Sequence, residues 1–338
     1  MGGEGRVRGA AAALTFNPPH PNPLPHWGEG EIRDAAMRLR LFENYRFLLY
    51  APFYVAHATR AYEAEGLDVE LLSSPGPGRA EAALVAGAAE IMWAGPMRII
   101  KRHDEDPASP LLCFAEVVCR DPFSLVGRAP RPDFRLADLA GLRFASVAEV
   151  PTPWLCLQQD LRQAGIDPDR LDRVADRTMA ENLAALRRGE LAAAQFFEPF
   201  VEEALASGAG HLWHQASRRG RTSYTAFVAT RERLAAEPGP LLAVVRAIHR
   251  AQQWIAAHEP AEIAAAVAPF FPDQDRGVMT RALARYAKEG VWGRDPVLPQ
   301  DGFERLRVGL LSSGFIRRPV AFAECVDNRL ALQVIAGQ

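Results

Sequence analysis

From Met37 onward, short apolar or alternating runs of strand length take turns with longer segments of helical period. That rhythm predicts an α/β fold built on parallel strands. Strands are predicted at 38–42, 67–72, 91–93, 110–118 and 123–127. The segments between them read as helices. One opens at Pro52, where a missing N–H costs nothing, and runs to about Glu65, with Gly66 as its stop. Others are predicted at 79–86 and from Pro96 to about Arg102.

The pattern then repeats. A segment with Pro130 and Pro132 at 128–134 marks a crossing, followed by strands at 142–146, 171–174, 192–197 and 224–230. Helices are predicted at 154–164, 179–188 and 199–207, and from Leu234 the chain reads as Ala-rich and helical to its end. Two α/β segments follow, the second inserted between the first and a helical tail. Lobe I is expected at 37–127 plus 222–338 and lobe II at 128–221. Two crossings make a hinge, and a cleft between lobes is a preferred ligand position. Residues 1–36 are rich in Pro and Gly and read as a disordered leader or a mis-assigned start, with Met37 as a sensible true start. Their apolar run lacks a nearby small-x-small cleavage site, so no clear signal peptide is expected.

The 338 residues carry 39 basic and 41 acidic side chains, a net charge of −2 that gives no footprint for nucleic acid. No run reaches the roughly 20 apolar residues of a membrane-spanning helix. Cys113, Cys119, Cys156 and Cys325 have neither zinc-ligand nor disulfide-scaffold spacing, and Cys113 and Cys119 read as buried free thiols. His211 and His214 lack further ligands and read as surface residues. Neither a metal nor a cofactor is expected, and no nucleophile–base pair or phosphate loop is visible.

Six motifs in order carry a family resemblance: Ala51 to Ala56 with Glu65 to Glu70, Leu84 to Ile91 with Trp93 to Pro96, Arg120 to Phe123, Leu136 to Arg143, Phe196 to Phe200, and Gly314 to Ile316 with Asp327. They resemble the ABC-transporter solute-binding proteins for nitrate, sulfonates, taurine and thiamine-precursor pyrimidines. The resemblance implies a two-lobed periplasmic-binding-protein type II fold, with mixed sheets flanked by helices and a helical C-terminal tail. It implies a monomer that captures a small organic ligand between its lobes for an ABC permease. It also implies a periplasmic location, with a cytoplasmic one left open by the missing signal.

Strand ends then supply the candidate ligand contacts, since open α/β sheets bind beyond the carboxyl ends of their strands. Asn44 and Tyr45 follow the first strand, and Tyr50 precedes the Pro52 helix, where it could stack on a planar ligand or act as a hydrophobic staple. Trp93, Gly95 and Pro96 follow the third strand, where Gly allows close approach and a helix start offers free N–H groups. Thr152 and Trp154 open the first helix of lobe II. The prolines beside them remove donors that an oxyanion would use, which favours a neutral or cationic heterocycle. Glu198 follows the Phe-Phe strand and Tyr224 opens the returning one. Arg120 and Asp121 are expected as an inter-lobe ion pair. The alternative is a cytosolic enzyme or sensor on the same fold. Against a pyrimidine synthase or a desulfinase, residues 221–225 hold no cysteine and neither does the loop after the first strand.

Overall fold

The computed structural model describes residues 36–76 and 78–337, so the leader expected at 1–36 lies outside the described residues except for Ala36. In chain order the first half runs β1 (Met37–Glu43), α1 (Ala51–Ala58), α2 (Ala61–Ala64), β2 (Leu67–Ser73), α3 (Arg79–Val85), β3 (Ile91–Ala94), α4 (Pro96–Glu105), β4 (Leu111–Val118) and β5 (Ser124–Gly127). It continues through β6 (Phe144–Ala145), α5 (Thr152–Gln163), β7 (Arg173–Val174), α6 (Met179–Arg188), β8 (Ala193–Phe196), α7 (Phe200–Ala206), β9 (His211–Gln215) and β10 (Thr225–Thr230). The rest is helical: α8 (Arg231–Ala236), α9 (Pro238–Ala257), α10 (Pro260–Val267), α11 (Arg276–Glu289), α12 (Gln300–Ser312), α13 (Phe322–Cys325) and α14 (Arg329–Ala336).

The strands form two mixed sheets, ordered β2-β1-β3-β10-β4 and β7-β6-β8-β5-β9. In the first, β1 lies parallel to β2 and β3, while β10 returns antiparallel between β3 and β4. In the second, β6 is parallel to β7 and β8, and β5 runs antiparallel between β8 and β9. Strand β4 is buried along its whole length, as a strand covered on both faces should be.

Three elements differ from expectation. The helix predicted from Pro52 to about Glu65 breaks where Arg60 takes a left-handed φ of 56° and starts α2. Strand β9, reading HLWHQ, was not predicted, because polar residues break its apolar pattern and only Trp213 is buried. Strand β5 pairs in the second sheet, so the chain changes sheet at 119–123, before the Pro130–Pro132 segment.

The return crossing, 216–224, runs beside the outward one. Thr222 N donates to Cys119 O at 2.8 Å and Tyr224 N to Val118 O at 2.9 Å. Asp121, fully buried, lies on the outward crossing, and its carboxylate meets Arg219 Nη1 at 2.9 Å on the return. Arg219 reaches on to Asp160 of α5, which fastens the crossings to the second sheet. The expected ion pair therefore joins Asp121 to Arg219; Arg120 instead donates to Ser217 O at 3.3 Å. The helical tail packs on helices of both halves: α12 on α4 and α5, and α11 on α7.

Candidate functional site

The parallel strands β1 and β3 end beside each other, and the chain that leaves them forms one wall of a cavity. Past β1, the Glu43 carboxylate accepts Arg46 Nε at 3.0 Å and Nη2 at 2.7 Å and also holds the Tyr54 hydroxyl, which folds loop 44–47 back on its strand. Asn44 Nδ2 donates to Trp93 O at 2.8 Å, tying that loop to the end of β3. Tyr45 stacks on Phe47 with ring centroids 5.5 Å apart. Gly95 follows β3, and a Cβ there would stand 3.3 Å from the Tyr224 carbonyl. Its lack of a side chain lets the start of α4 sit against the return crossing. Arg98, in the first turn of α4, completes this wall.

The opposite wall comes from the second sheet. Phe123 leads into β5, Phe197 follows β8, and Glu149, Val150 and Thr152 occupy the passage from β6 into α5. Phe197 meets Phe47 of the first wall edge-on at 4.7 Å and lies beside Phe123 of its own wall at 5.0 Å. Counted together with the open solvent at its mouth, the space between the walls is about 660 Å³.

Its interior is aromatic with a few polar atoms left unengaged. Asn44 Oδ1, Glu149 Oε2 and the Tyr224 hydroxyl are buried without a hydrogen-bond partner. The other Glu149 oxygen accepts from Met179 N at 2.8 Å, at the start of α6. Arg98 Nη1 lies 3.8 Å from Glu81 Oε1, an ion pair too long for a hydrogen bond. Burial pushes the Tyr45 phenol up; Arg98 lowers it and Glu149 raises it. Burial likewise pushes Tyr224 well above its ordinary value.

Of the candidates read from strand ends, Asn44, Tyr45, Tyr50, Gly95, Thr152 and Tyr224 line this cavity. Trp93, Pro96, Trp154 and Glu198 do not. Trp93 is fully buried behind the wall, stacked on Phe53 at 4.3 Å, with Tyr50 leaning on it at 5.7 Å. Pro96 is buried as the first residue of α4. Trp154 packs on Phe144 and lies 4.3 Å beneath the Arg173 guanidinium. Glu198 turns away to α11, where Arg285 Nη1 donates to it at 2.7 Å. Burial raises the Glu198 carboxyl to about 7 against the pull of Arg285.

Sequence reasoning passed over Phe47, Arg98, Phe123, Glu149 and Phe197. Phe123 and Phe197 sit inside motifs of the family resemblance, so a signal for them was present. Arg98 and Glu149 had none, because a helix's first turn and an irregular loop do not reveal where their side chains point.

None of the four cysteines lines the cavity; all are buried and free. Burial pushes the Cys119 thiol to about 11 and Cys156 and Cys325 to about 12. Among the described residues no three His, Cys, Asp or Glu side chains are grouped to hold a metal ion, and no helix is long and apolar enough to cross a membrane.

Comparison with known proteins agrees with this geometry. Residues 128–269 match the model of the NMT1-like family. The chain is 25% identical over 303 residues to YtlA of Bacillus subtilis (strain 168), named as a binding protein, covering 89% of this chain and 91% of that one. Among solved structures, the periplasmic aliphatic sulphonate binding protein SsuA of Escherichia coli superposes with a TM-score of 0.68 at 15% identity, over 88% of this chain and 93% of SsuA. The desulfurization enzyme DSZB superposes with a TM-score of 0.66 at 16% identity, over 89% of this chain and 99% of DSZB. The fold is that of the periplasmic binding proteins.

Proposed function

Proceeding from that fold, we propose that the protein is a solute-binding protein that captures a small organic ligand between its two sheets and delivers it to an ABC importer. One observation carries the reading. The cavity lies at the carboxyl ends of the parallel strands of both sheets, and its two walls are contributed separately by them. A ligand held there touches both halves at once, so its binding energy favours the closed arrangement over the open one. The crossings at 119–123 and 216–224 are the hinge, and each sheet with its helices is a lobe. Asn44, Tyr45, Tyr50, Gly95, Thr152 and Tyr224 are the contacts of this reading, joined by Arg98, Phe123, Glu149 and Phe197. The names of its fold relatives support a sulfonate and the periplasmic side; a thiamine-precursor pyrimidine is the other ligand class of this reading.

Capture is favoured over catalysis because every thiol is buried away from the cavity and pushed towards its neutral form, whereas a nucleophilic thiol has to be an accessible thiolate. The test is thermal unfolding of the full chain against sulfonates, pyrimidines, nitrate and bicarbonate. A true ligand at about a hundred times its dissociation constant adds about 2.7 kcal/mol. One class should raise the transition without being consumed. No shift with any of them, or turnover of the one that shifts it, would overturn the reading.

A further inference from the structure

The cavity has two poles of opposite sign, one on each wall, and they restrict what fits between them. On the first wall Arg98 stands in the opening turn of α4, where the helix dipole is positive. Among the described residues its ion-pair partner is Glu81, too far for a hydrogen bond, so its N–H groups remain for an acceptor. On the second wall Glu149 spends one oxygen on Met179 N and leaves Oε2 buried with no donor. A buried carboxylate oxygen without a donor is costly, and a ligand N–H is the group that would relieve it. Asn44 Oδ1 is a second idle acceptor in the same cavity. The rings of Tyr45, Phe123 and Phe197 line the same cavity.

We infer that the ligand is a small aryl molecule with an acidic group at one end and an N–H group at the other. The acidic end faces Arg98, the ring lies among the aromatic side chains, and the N–H end donates to Glu149 Oε2. Glu149 is then the residue that sets specificity. This rests on the solute-binding reading and narrows it. A direct Arg98–Glu149 pair on closure would neutralise the same charges but give no preference for an N–H group.

The test compares benzenesulfonate with 3- and 4-aminobenzenesulfonate by calorimetric titration of the full chain and of Glu149→Gln. Gln keeps a carbonyl oxygen for Met179 N and removes the charge, and unfolding curves of both proteins confirm that the variant is folded. At least one amino isomer should bind wild type tenfold or more tightly than benzenesulfonate, and that ratio should fall to about one in Glu149→Gln, whatever the variant does to benzenesulfonate itself. Equal affinities in wild type, or an advantage that survives in the variant, would overturn the inference. So would failure of all three probes. If another ligand class still stabilises the protein, that failure leaves the solute-binding reading standing; if nothing does, both fall.

Discussion

Replacing Arg219 with alanine is expected to destabilise the protein by about 3–5 kcal/mol at neutral pH, the usual penalty for stripping one partner from a buried ion pair. Asp121 is fully buried, and Arg219 is the cation that meets it. Burial pushes the Asp121 carboxyl up while Arg219 pulls it down, so removing Arg219 leaves burial and nearby Asp160 to raise it further. The sign follows. In the variant the folded state holds its proton to higher pH than the unfolded chain, so falling pH favours the folded state. The gap between variant and wild type should therefore be widest at neutral pH and narrow in acid. Adding Asp121→Asn to the variant should recover part of the loss. Urea unfolding at several pH values reads all three. A loss below about 1 kcal/mol, the scale of a surface pair, would contradict the assignment.

Trp93→Ala should cost about 3–5 kcal/mol as well, for a different reason: it deletes a large ring from a closed core. Trp93 is stacked on Phe53, meets Tyr54 edge-on at 5.8 Å and supports Tyr50 from behind. Trp93→Phe should cost clearly less, because much of the aromatic contact survives. Ligand affinity should fall with the alanine change even though Trp93 does not line the cavity, since Tyr50 loses its backing. Unchanged stability with lost binding would instead place the indole against the ligand.

Much of the fold was legible because strand and helix periods leave different apolar patterns. Asn44, Tyr45 and Gly95, just past β1 and β3, line the cavity as residues at the carboxyl ends of parallel strands can, while Pro96 does not. What stayed hidden depended on single-residue phase or on tertiary packing. Successive strand residues point to opposite faces. One step along the Phe-Phe-Glu run separates Phe197, which faces the cavity, from Glu198, which turns to Arg285. The break at Arg60 has no glycine to announce it. The sheet change at 119–123 carries no shift in composition because apolar strands lie on either side, while the prolines that drew attention follow β5. Arg98 and Glu149 became meaningful only when two distant segments met across one space.

One ligand gripped by both walls of that space should leave its mark on both of them. Amide hydrogen exchange followed by mass spectrometry, on the full chain with and without a stabilising ligand, tests it most directly. The account predicts slowed exchange in 44–50 and 95–98 from the first wall together with 149–155 from the second. Protection confined to one wall, or appearing away from both, would contradict it.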